Sequence, residues 1–105
     1  MDHFIIVFVT TSSKEEAEKI ARRLIEGGVA PCANIVPLFV SIYEWKGEVH
    51  RDEECLMIIK SRKDLFPKLT EIVQKFHSYE VPEIIAVDLA EISDKYRAYL
   101  EGYFK

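Results

Sequence analysis

From Ile35 to Trp45, and again from Val49 to about Ser61, the chain loses helical periodicity and is rich in Val, Ile, Phe and Tyr, with Lys46-Gly47 between the two stretches. This pattern predicts a β-hairpin. Pro37 has no N–H to give to a ladder, so the first strand is expected at a sheet edge or with a bulge. Both strands are long against the usual range of about 3 to 10 residues. A chain of 105 residues builds one small core, burying roughly 60 to 70% of the surface its unfolded form exposes. That core is too small to cover such an arm, so the excess is expected to contact another copy of the chain.

The remaining elements fall around the hairpin. Phe4 to Val9 is a short apolar run suited to a strand covered on both faces. Ser13-Lys-Glu-Glu16 has capping-box spacing, and Ala17, Ile20, Ala21, Leu24 and Ile25 then recur at helical intervals until Gly27-Gly28 closes the helix. Asp64 is expected to cap a second helix, with Pro67 in its first turn and Leu65, Leu69, Ile72, Val73 and Phe76 as its buried stripe, ending near His77. Val81-Pro82 forces extended backbone, and Ile84 to Leu89 reads as a fourth strand. Ser93 opens a short terminal helix carrying Tyr96, Tyr99, Leu100 and Tyr103 at helical spacing. The order β-α-β-β-α-β plus a helix predicts an α+β chain of the ferredoxin-like, split-βαβ type: one domain over residues 1–105, with an antiparallel four-stranded sheet and two helices on one face.

Composition narrows the function. Eighteen acidic against 14 basic side chains leave a net charge of −4, which argues against neutralising a nucleic-acid backbone. The longest apolar run, Phe4 to Val9, is far short of the roughly 20 residues that cross a bilayer, and no charged leader precedes it. A cytoplasmic protein with neither nucleic acid nor membrane as partner is expected.

Cys32 and Cys55 do not read as a disulfide. If the hairpin turns on Lys46 and Gly47, Cys55 faces Leu38 and lies about 20 Å from Cys32, against about 7 Å for bridged Cα atoms. Free thiols suit a reducing compartment. No Cys-x-x-Cys, His-x-x-x-His or His-Glu-x-x-His pattern occurs, so no closed zinc site is encoded. Cys32 is either a small buried filler or a soft thiolate ligand; Cys55, among Leu56, Met57 and Ile58, reads as core. His77-Ser-Tyr-Glu-Val-Pro-Glu83 is the densest polar segment, where a helix hands over to a strand. His77 suits a helix-end cation or a metal ligand, and Tyr79, Glu80 and Glu83 either complete a pocket or form an exposed turn. Thr10 to Ser13 reads as capping rather than anion binding. Tyr43, Trp45 and His50, with Glu44, Glu48 and Glu54, form an aromatic and acidic arm suited to a protein interface. Ser41, Ser61 and Ser78 have no identifiable base, and no nucleophile elbow or phosphate loop is present.

Four segments, Ala30-Pro-Cys-Ala-Asn34, Ser41-Ile-Tyr-Glu-Trp-Lys-Gly47, Glu54 with Ile59-Lys60-Ser61, and His77-Ser-Tyr-Glu-Val-Pro-Glu83, resemble in order and spacing the CutA divalent-cation tolerance family. The chain departs from the family's habit at Pro31, commonly a second alanine, at Ser78, commonly proline, and at Gly102, often tryptophan. The first two stand beside Cys32 and His77. The resemblance implies a ferredoxin-like subunit in a homotrimer built by strand pairing between subunits, similar to the PII-like signalling proteins. It also implies tolerance to and binding of divalent metal ions, copper in particular, without an established enzymatic reaction. The family's metal-type residues fall on Cys32 and His77, and its pocket-type residues on Lys60, Tyr79 and Glu80. Thiolate and imidazole suit copper or zinc better than magnesium. Two such ligands do not close a site, so a neighbouring subunit, Glu80 or water is needed. The alternatives are a PII-like sensor binding a small anionic metabolite in intersubunit clefts, with Lys60 as its charge partner, and a scaffold that recruits another protein through Trp45.

Overall fold

The computed structural model describes residues 3–105. In chain order it holds β1 (Phe4–Thr11), α1 (Lys14–Glu26), β2 (Cys32–Trp45), β3 (Glu48–Arg62), a 3-10 turn (Lys63–Leu65), α2 (Phe66–Phe76), β4 (Ile84–Asp88) and α3 (Asp94–Tyr103). The strands form one sheet in the order β2-β3-β1-β4. Every neighbouring pair is antiparallel. This is the split-βαβ, ferredoxin-like arrangement read from the element order.

Local chemistry sets most boundaries. Ser13 caps α1 by accepting from the Glu16 N–H at 3.1 Å. The Glu16 carboxylate, however, turns to Ser12 and to Ser78 instead of returning to the Ser13 N–H, so only half of a capping box forms. Gly28, at φ +72°, supplies the left-handed residue after α1. Asp64 does not cap α2: the N-cap is Leu65, without a side-chain bond. Arg62 Nε holds the Asp64 carboxylate at 2.6 Å, and the 3-10 turn provides the start of the helix instead.

The hairpin turns on Lys46 and Gly47, both at positive φ (52° and 82°), the primed geometry whose twist matches the flanking strands. Register runs from Trp45↔Glu48 to Phe39↔Glu54, then shifts to Val36↔Leu56 and on to Cys32↔Lys60. Pro37 and Leu38 therefore oppose Cys55 together, forming the bulge expected from Pro37. Because the bulge absorbs one residue, Cys32 and Cys55 are separated by about 17 Å of strand rather than about 20 Å; both thiols are free.

The core lies between one sheet face and two helices. Ile5, Val7, Val9, Met57 and Ile59 meet Ala17, Ile20, Leu24, Leu69 and Val73. Phe4 to Val9 was expected to be covered on both faces, yet Ile6 and Phe8, on the other face, are only half-buried. Both long helices pack on one side, and α3 covers only the Phe4 end, where Phe104 stacks on Phe4. Of the α3 stripe only Leu100 is buried, while the Tyr103 hydroxyl donates to the Ala30 carbonyl at 3.0 Å. Beyond Thr11, opposite Cys55, the hairpin continues without β1. The radius of gyration is 14.4 Å, above the about 13 Å of a compact chain this long.

Candidate functional site

Two polar clusters stand near opposite ends of β1. The first gathers where β1 ends. α2 stops at Phe76, and His77, in extended backbone, turns its ring onto β1. His77 Nε2 donates to the Thr10 carbonyl at 2.7 Å, and Nδ1 accepts from the Tyr79 N–H at 3.0 Å. A carbonyl only accepts and an amide N–H only donates, so these partners select the neutral tautomer with the proton on Nε2. His77 is thus neither a helix-end cation nor a free imidazole. Its ring also lies 4.8 Å from the Tyr79 ring.

Tyr79 carries the cluster to the hairpin. Its hydroxyl donates to Glu54 Oε2 at 2.6 Å, and Glu54 is only 8% exposed. Glu54 therefore belongs to this inner cluster and not to the exposed arm in which the sequence grouped it. Burial and the Glu54 carboxylate together push the Tyr79 phenol well above its ordinary range. Further out, Tyr43 donates to Asp52 and stacks on His50 at 5.4 Å, while Trp45 is exposed. On the helix side the Ser78 N–H donates to Glu16 Oε2 at 2.6 Å. Glu80, expected as a pocket residue, is exposed.

The second cluster lies at the start of β2. Cys32 pairs across the ladder with Lys60. The Lys60 ammonium contacts the Asn34 side-chain oxygen, and the Cys32 thiol faces the same oxygen at 3.9 Å. Sequence reasoning did not assign Asn34 a role, although i, i+2 spacing from Cys32 places it on the same strand face.

Strand register separates the clusters. Lys60 pairs with Ile6, and Leu56 with Thr10, so Cys32 and Lys60 lie about 13 Å along the strands from the carbonyl that holds His77. One chain does not bring Cys32 to His77, or Lys60 to Tyr79 and Glu80. Among the described residues, no three His, Cys, Asp or Glu side chains gather where they could hold a metal ion.

Residues 5–102 match the family model described as CutA1 divalent ion tolerance protein. The chain belongs to the CutA1 family. A divalent-cation tolerance protein CutA of Thermus thermophilus is 45% identical over 95 residues, covering 90% of this chain and 92% of its own length. A chloroplastic protein CutA of Arabidopsis thaliana is 44% identical over 98 residues, 93% of this chain. The chain spans about half the length of that relative, 54%. The crystal structure of CutA1 from Oryza sativa superposes with a TM-score of 0.93 at 40% identity, covering 98% of this chain and 94% of that one.

In this CutA1-family chain, Glu16 fastens the loop after α2 to the start of α1. Burial alone would raise its carboxyl; hydrogen bonds from Ser78 and Ser12 outweigh it and hold the group below its ordinary value. A depressed carboxyl stabilises the fold above the unfolded value and loses that contribution as pH falls through the folded one. Glu16→Gln is therefore expected to lower stability at neutral pH and to flatten the acid limb of the stability curve below pH about 4.5, read by urea unfolding from pH 3 to 7, with the slope above pH 6 unchanged. Among the described residues no helix is long and apolar enough to cross a membrane.

Proposed function

We propose that the protein acts in divalent-cation tolerance as a cytoplasmic homotrimer that binds divalent metal ions, copper foremost, at sites completed between subunits. The role is binding, not catalysis. The observation that carries this reading is the separation of the two soft donors. Cys32 opens the edge strand β2, beside Lys60, and His77 is tied to the other end of β1, so a site using both needs a second copy of the chain. The half-covered sheet face and the protruding hairpin supply surface for that copy. Copper prefers thiolate and imidazole over carboxylate oxygen. Coordination through His77 Nδ1 requires release of the Tyr79 N–H, so Cys32 is the readier donor and His77 binds at the cost of its loop contact.

Titrating copper into wild type, Cys32→Ser and His77→Ala by calorimetry tests the reading. At least tenfold weaker binding is expected for Cys32→Ser, with a smaller loss for His77→Ala; equal binding by all three proteins would remove both residues from the site. A second reading, a sensor of small anionic metabolites, is favoured by Lys60, whose ammonium has no carboxylate within 4.0 Å among the described residues. Thermal stabilisation by anionic metabolites, with none by copper, would select it.

A further inference from the structure

Leu38 adopts φ +57° in the bulge of β2. For a leucine this region is an outlier, because the Cβ crowds the following carbonyl. Such a conformation persists where surrounding structure holds it, and within this chain the side chain is 78% exposed. Among the described residues, the strained one is also the large apolar side chain with least cover. Ile42 and Val49, further along the same hairpin, are 69% and 76% exposed.

We infer that Leu38 is an anchor of the contact between subunits: the bulge holds it out from the edge strand, and it seats in the apolar sheet surface of a second copy of this chain. The inference rests on the homotrimer reading above and names the residue that secures it. A second copy is indicated because one chain carries both halves of the contact. At the edge opposite β2 lies β4, whose Ile85 and Val87 are 53% and 49% exposed. They pair with Phe8 and Ile6, the half-buried residues of the open face. Two different edges that complement each other make a head-to-tail contact, the kind that closes into a ring.

Leu38→Gly tolerates the left-handed backbone and removes the anchor; Leu38→Asn also accepts that backbone but presents an amide. Sedimentation velocity from nanomolar to micromolar concentration, with far-UV circular dichroism as the folding control, reads the outcome. Wild type is expected to be trimeric at micromolar concentration, and both variants to fold normally and dissociate at concentrations at least about tenfold higher than wild type, as loss of one buried leucine per contact implies. Variants that assemble like wild type would overturn the role of Leu38 and leave the trimer standing. A wild type of one-subunit mass throughout would overturn both. Variants that fail to fold would place Leu38 in the subunit's own stability and overturn the anchor.

Discussion

His77→Ala is expected to lower the free energy of unfolding by about 2 to 3 kcal/mol at neutral pH and fixed protein concentration. The change removes the donor to the Thr10 carbonyl and the acceptor for the Tyr79 N–H. Each bond contributes about 1 kcal/mol net, and a buried group left unpaired adds a desolvation cost of about 1 kcal/mol or more. Thr10 is buried, so water does not replace the lost donor freely. His77→Gln supplies one donor but not both partners in the ring's geometry, and recovers about half of the loss. Urea unfolding gives the magnitude, and amide exchange gives the location, with the Tyr79 N–H accelerating most. A change below about 0.5 kcal/mol, the size of an ordinary surface substitution, would show that the ring does not hold this loop.

Tyr79→Phe should cost about 1.5 to 3 kcal/mol, the range for a hydrogen bond to a charged partner. The phenol donates to Glu54, and without it a nearly buried carboxylate loses a donor. The effect depends on pH with a defined sign. The phenol binds its proton more tightly in the folded chain than in the unfolded one, so the contribution is full below pH about 10, the ordinary tyrosine value, and declines as pH rises beyond it. The variant should lack that alkaline decline. Combining it with Glu54→Gln in a double-mutant cycle should return a coupling of about 1 kcal/mol or more. Strict additivity would mean that the two side chains do not stabilise each other.

Much of the fold was legible because its causes are local. A Ser13 hydroxyl reaches an N–H three residues on, Lys46-Gly47 suits a turn with two positive φ values, and Pro37 breaks a ladder whatever lies beside it. Strand parity also extends over distance: the turn sets the register as far as Phe39↔Glu54, and the bulge at Pro37 and Leu38 shifts it by one residue to pair Cys32 with Lys60, five residues along β3 from Cys55. Asp64 shows the limit of local reasoning. It had the right residue type for a cap, but Arg62 offered a charged donor two residues away and the helix began without it.

The candidate site was legible as residue types and not as an arrangement. His77, Tyr79, Cys32 and Lys60 all stand out in the sequence, yet nothing in it says that the His77 ring is tied at both nitrogens, or that Glu54 turns inward to Tyr79. The Thr10 carbonyl lies 67 positions from His77, and contact over such a span depends on where β1 ends against the turn after α2. Local hydrogen bonding and side-chain alternation therefore determined the elements, their order and the pairing within the hairpin. Only the packed chain decided which polar groups meet, which sheet face stays half-covered and which leucine is held in a left-handed bend, because each depends on volumes and hydrogen-bond partners that distant segments bring together.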